Sequence, residues 1–284
     1  MLVVETMRPK QWIKNTFVFA GVLFSGEFTD PDSLGRALLV FVGFCLVSGA
    51  TYLLNDVIDA KTDVLNPRTA RRPIARGDLR PATAIAAAVV CALAGIGGAL
   101  LTGWQAAAVL LGYLVMQIAY STSLKHVLFV DVMIIATGFT LRAVAGIVAI
   151  DVYASPWLLL CTGLLALFLG LVKRRGEAVA LGGESNPQRP VLDYYSVGLL
   201  DELIAVITPS TVVVYALYAI QGARSDAMLL TLPFVIYGIF RLLFLMHHRS
   251  WVTDEPAALV LADRPLLVCV LMWALACLAI TLAT

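Results

Sequence analysis

The sequence predicts an all-α membrane protein: nine transmembrane helices in one bundle, with two polar loops on one side. Three observations carry this. The chain is 60% hydrophobic and 14% charged, with a mean hydropathy of +0.89, whereas soluble domains carry about a quarter charged residues. Nine apolar runs approach the ~20 residues that a spanning helix needs. The cations crowd alternate loops, as they do on the cytoplasmic side of a bilayer.

In order, the runs are 12–27, 34–57, 81–101, 104–122, 127–150, 155–173, 199–220, 228–247 and 264–284. The start, 1–11, is short, basic and amphipathic, which suits the membrane surface. With Lys14 it also offers phosphate-binding cations at a cavity mouth. Run 12–27 is the shortest and begins among cations. Turn signals separate the others: Asp30-Pro31-Asp32, Pro81, Gly103, Asp151 to Pro156, Gly222 to Asp226, and Asp263-Arg264-Pro265. The last of these either closes the site or caps the ninth run. With nine crossings, 16 of the 20 Lys and Arg residues fall on the side of the N-terminus. That side is therefore cytoplasmic, with the C-terminus outside, and a cell or inner membrane is expected. No small-residue cleavage site follows an adequate apolar core near the start, so no cleavable signal peptide is expected. The chain reads as a single domain over 1–284, with site loops at 55–80 and 173–198.

The five cysteines all lie in apolar runs, are odd in number and show no CxxC. Reduced, buried thiols are expected, with neither a disulfide frame nor a thiolate metal site. The three histidines form no HExxH. Nucleic-acid binding has no support beyond loop arginines.

Chemistry concentrates between Asn55 and Gly77. If the preceding helix continues, Asn55, Asp59 and Asp63 share one face at i, i+4 and i+8, and Asp56 is turned about 100° aside. This row of oxygens suits Mg²⁺, which takes a few carboxylates, waters and substrate phosphate oxygens. Arg68, Arg71, Arg72 and Arg76 follow, and guanidinium forks match phosphate. The positive-inside rule alone explains the arginines about equally well. The aspartates are harder to dismiss, because ionised groups at membrane helices are costly. The 173–198 loop adds Lys173, Arg174, Glu177, Asp193 and Tyr194. Between the loops, Tyr120 and Lys125 form a short hydroxyl-rich link suited to phosphate. Asp131 and Arg142 lie inside the fifth run. Arg142 either lines a cavity or pairs elsewhere in the chain, and Gly138 and Gly146 either serve that cavity or mark close helix packing.

The segment NDVIDAKTD closing the second run resembles the NDxxDxxxD pattern of UbiA-type intramembrane prenyltransferases. RPKQWIKN, NPRTARRPIARG and KRRGE are most similar to the decaprenyl-phosphate phosphoribosyltransferase branch. The resemblance implies a UbiA-like bundle and a Mg²⁺-dependent transfer of 5-phosphoribosyl from phosphoribosyl diphosphate to a polyprenyl phosphate, in the pathway to cell-wall arabinan. It implies Asn55, Asp59, Asp63 and Lys173 as the catalytic set, with Asp56 in reserve for the metal. Prenyl-transferring relatives carry a second aspartate motif where KRRGE stands here. That difference favours a donor with an additional phosphate over the alternative, a polyprenyl diphosphate prenylating an aromatic acceptor. A transporter is the third reading, but its ionisable groups would sit at the midplane. A homo-oligomer is left open.

Overall fold

The computed structural model describes residues 1–66, 69–153, 155–182, 190–223, 225–248 and 262–283. Eleven α-helices are described: α1 Leu2–Thr6, α2 Ala20–Ser25, α3 Pro31–Ile58, α4 Ala60–Asp63, α5 Pro81–Leu100, α6 Trp104–Thr122, α7 Val130–Ala149, α8 Pro156–Leu181, α9 Val197–Leu217, α10 Leu232–His248 and α11 Arg264–Ala283. Among the described residues, eight helical segments are long and apolar enough to cross a membrane. They are α3, α5 to α8, α9 with its π-helical end at Gly222, α10 with the 3-10 turn before it, and α11.

The first expected span, 12–27, is not one of these eight. It folds as a 3-10 segment, Pro9–Phe19, followed by the two-turn α2. Trp12, Ile13, Thr16, Phe17, Val18 and Phe19 are β-branched or aromatic and lose side-chain freedom in an α-helix. Tertiary contact then decides their conformation. The segment runs against α7 so closely that a Cβ on Gly146 would lie 1.8 Å from the Val18 carbonyl oxygen.

Local chemistry sets the helix ends. Asp30 caps α3 by accepting from the Ser33 amide at 2.9 Å, with Pro31 as first residue. Hydrogen bonds from Ser33, first its hydroxyl and then its amide, hold the Asp30 carboxyl below its ordinary value. Pro81 and Pro156 open α5 and α8. Ser196 caps α9 through the Leu199 amide. Asp263 accepts from the Leu266 amide and pairs with Arg241 at 2.8 Å, so its turn caps α11. Helices α3 and α5 meet through small residues, where a Cβ on Gly95 would sit 2.7 Å from the Gly43 carbonyl oxygen. The five cysteines are free thiols.

One apolar core gathers Val40, Phe44, Val47, Leu110 and Ala145 from α3, α6 and α7. Another gathers Phe168, Leu171, Leu200, Leu242 and Leu266 from α8 to α11. Both halves contribute lining to one cavity.

Candidate active site

The cavity encloses about 1410 Å³. Asn55, Asp59, Asp63, Arg72, Lys125, Lys173, Arg174 and Glu177 line its polar end, and Phe24, Tyr215, Tyr218 and Trp273 lie at its apolar end. Helix α3 breaks at Asp59, which sits between α3 and α4 with φ −87° and ψ 0°. The break leaves the shared face intact. The Asp59 amide still donates to the Asn55 carbonyl (2.9 Å) and the Asp63 amide to the Asp59 carbonyl (2.8 Å). All three expected residues therefore line the cavity.

Each carboxylate of the row already holds a cation. Lys125 donates to Asp59 at 2.6 Å, and the Asn55 amide donates to its other oxygen at 3.0 Å. Arg72 reaches Asp63 at 2.7 Å and Asp56 at 3.2 Å. Arg8 reaches Asp56 at 2.5 Å and stacks over Tyr52. Asp56 is buried and absent from the cavity lining, so its partners are these two arginines.

The donors toward the cavity are oxygens, which suits a hard divalent cation. Among the described residues, no three acidic, imidazole or thiol groups converge into a closed cage. Mg²⁺ does not need one, since it keeps waters and takes substrate phosphate oxygens. The fit is to a metal that arrives with a diphosphate.

Opposite this row, α8 brings Arg174 to Asp131 of α7. The guanidinium Nε donates to Asp131 at 2.8 Å, and a second nitrogen donates to Glu177. Tyr195 completes the group: its hydroxyl donates to Asp131 at 2.8 Å and accepts from the Phe129 amide at 2.9 Å. Burial, then the proton shared with Asp131, push the Tyr195 phenol above its ordinary value. Phe129 holds a left-handed φ of 65° at that bond.

Arg142 lines the cavity and is buried. Its Nε donates to Asn15 (2.8 Å), one Nη to the Gly138 carbonyl (2.7 Å) and the other to the Tyr113 hydroxyl (2.9 Å). Lys14 and Tyr120 line the same cavity.

Besides Asp56, which is turned to Arg8 and Arg72, four expected residues stand elsewhere. Arg71 and Arg76 are exposed and absent from the lining. Arg76 pairs with Asp78 at 2.5 Å and Glu5 at 3.7 Å, because the chain turns at Gly77, with φ 85°. Asp193 and Tyr194 are exposed on a short 3-10 turn, and the neighbouring Tyr195 takes the buried position. Arg68 lies outside the described residues. Sequence reasoning passed over Asn15, Tyr113 and Gln117, which line the cavity or support it. Their only signal was polarity inside apolar runs.

Residues 16–262 match the model of the UbiA prenyltransferase family. The decaprenyl-phosphate phosphoribosyltransferase of Mycolicibacterium smegmatis is 30% identical, over 95% of this chain and 89% of its own length. The enzyme of the same name from Corynebacterium glutamicum is also 30% identical, over 95% of this chain and 83% of its length. A UbiA homolog from Archaeoglobus fulgidus, bound to GPP and Mg²⁺, superposes with a TM-score of 0.78 over 99% of both chains at 15% identity. The family model spans most of the chain, and the protein belongs to the UbiA prenyltransferase family.

Proposed function

We propose that this chain transfers 5-phosphoribosyl from phosphoribosyl diphosphate to a polyprenyl phosphate and releases diphosphate. One observation carries the reading. The cavity faces its oxygen row with lysine and arginine, and Lys173 and Arg174, which lie not in a loop but in the last turns of α8, stand where a prenyl-diphosphate enzyme needs a second acidic cluster. The names of the full-length relatives support it.

Asn55, Asp59 and Asp63 would hold Mg²⁺, which draws charge off the departing diphosphate as the ribose becomes oxocarbenium-like. Lys125 and Arg72 bind the diphosphate oxygens and stabilise the same charge. Lys173 and Arg174 take the 5-phosphate. Tyr120 and Glu177 orient the ribose beside them. The lipid phosphate is already anionic, so the chain must position it rather than deprotonate it.

The active site opens to the cytoplasm, with the N-terminus on that side. Residues 9–25 form a ninth crossing, since eleven 3-10 residues and six α residues extend about 30 Å, near the thickness of the hydrocarbon core.

The test is transfer of label from phosphoribosyl diphosphate into an organic-soluble polyprenyl phosphate by purified protein, with and without EDTA. Transfer only in the presence of Mg²⁺ is expected. Activity on a prenyl diphosphate and an aromatic acid, with none on the ribosyl donor, would refute the reading.

A further inference from the structure

Among the cations that line the cavity, three groups differ in what neutralises them. Arg8, Arg72 and Lys125 sit on the aspartate row. Arg174 sits between Asp131 and Glu177. Arg142 has no carboxylate within salt-bridge distance among the described residues; its acceptors are an amide, a peptide carbonyl and a phenol, all neutral. It is only 6% exposed, inside a membrane-spanning helix. A lone buried charge there is costly and marks function rather than stability.

Its setting is rigid. Phe44, Tyr113 and Phe139 pack around the guanidinium at 5.7, 4.8 and 5.3 Å. Asn15, which holds its Nε, is itself fixed by Ser48 of α3 at 3.3 Å. A guanidinium has five N–H donors, and three are engaged. A fixed cation with spare donors on a cavity wall is a preorganised anion site.

Depth identifies the anion. Ser48 lies seven residues before Asn55 on α3, about 10 Å further along the axis. The Arg142 group is thus on the membrane side of the oxygen row. Displacement at the ribose carbon brings the nucleophile in opposite the departing diphosphate. Once the diphosphate occupies the aspartate row, the acceptor phosphate belongs on this deeper side, with its hydrocarbon in the apolar end of the cavity. We infer that Arg142, held by Asn15, Tyr113 and the Gly138 carbonyl, binds the phosphate of the lipid acceptor and leaves the donor's phosphates to the other cations. This rests on the proposed transfer reaction.

Equilibrium binding to the purified chain tests it with three ligands: a polyprenyl phosphate, the polyprenol of the same length, and phosphoribosyl diphosphate with Mg²⁺. Wild type is expected to prefer the lipid phosphate over the alcohol. Arg142→Gln should weaken the lipid phosphate at least tenfold, the low end for a charge-assisted bond, with donor affinity within twofold. Retained donor binding shows that the variant is folded. Should Arg142→Gln not fold, Arg142→Lys and Tyr113→Phe carry the test, each with an intermediate loss confined to the lipid phosphate. A loss confined to the donor, or equal binding of alcohol and phosphate by wild type, overturns the assignment while leaving the transfer reaction standing. Failure of wild type to bind either the donor or the lipid phosphate would sink both.

Discussion

Replacing Asp131 by asparagine isolates what holds Arg174 at the cavity wall. Asp131 is completely buried, and its two oxygens accept separately, one from Arg174 Nε and one from the Tyr195 hydroxyl, each at 2.8 Å. Asparagine keeps the shape but offers one acceptor and one amine. With its oxygen toward Arg174, the amine meets Tyr195, whose hydroxyl already accepts from Phe129. Turned the other way, it meets the guanidinium donor to donor. One bond is lost in either case, and the other loses its charge assistance. The expected cost is about 3 kcal/mol, the lower edge for breaking a buried pair. At about 2–4 °C per kcal/mol for a large domain, thermal unfolding in detergent should fall by about 6–12 °C. A double-mutant cycle with Arg174→Gln should give a coupling of about 2 kcal/mol. Asp131→Asn should also raise KM for the ribosyl donor, because Arg174 lines the cavity. Additive effects, with coupling below about 0.5 kcal/mol, would show that the pair does not hold the arginine.

Asp59→Ala should reduce turnover at least a thousandfold and remove the Mg²⁺ dependence of donor binding; near-normal turnover would end the metal assignment. Gly146→Ala should destabilise the fold by more than the ordinary 1–3 kcal/mol of overpacking, since the new methyl meets the Val18 carbonyl oxygen at 1.8 Å. Thermal unfolding reads that cost, and an unchanged midpoint would count against the close approach of the 3-10 segment to α7. Tyr195 has its phenol pKa raised in the folded chain. Its contribution to stability is therefore complete below the unfolded value of about 10 and declines as pH rises above it toward the higher folded value. Alkaline melting curves of wild type should fall more steeply than those of Tyr195→Phe, and parallel curves would exclude the linkage.

The bundle was legible because burial in lipid leaves a coarse signal, about 20 apolar residues at a time. The Asn55, Asp59 and Asp63 face was legible because local helical bonds preserved it even where α3 breaks. Run 12–27 shows where such reasoning stops. Its composition is apolar, but its conformation follows from contact with Gly146, 127 residues beyond Phe19. Arg71 and Arg72 are adjacent, and which one turns inward depends on the path of the loop. The same holds for Tyr194 and Tyr195. Pairings such as Arg142 with Asn15 and Arg174 with Asp131 join residues far apart in the chain, and no periodicity announces them.

The neutralised aspartate row has a thermodynamic consequence. Lys125 and Arg72 occupy the carboxylates that would hold a metal, and the carboxylates occupy the cations that would hold a diphosphate. A divalent ion alone must displace Lys125 from Asp59 and Arg72 from Asp63, which leaves the lysine without its carboxylate and the arginine with only Asp56, in a partly buried site. Diphosphate alone leaves the aspartates unpaired in the same way. Both costs vanish when the two arrive together, since each half of the pair gains a new partner. Metal and diphosphate should therefore bind with positive coupling, and the coupling must be reciprocal. A tenfold to hundredfold tightening of each by the other is expected, within the 1–3 kcal/mol typical of coupled sites. Titration of Mn²⁺ with and without diphosphate measures it directly, without turnover. Lys125→Met should tighten Mn²⁺ alone, weaken diphosphate and reduce the coupling. Independent binding of the two by wild type would mean that these ion pairs do not restrain the resting site.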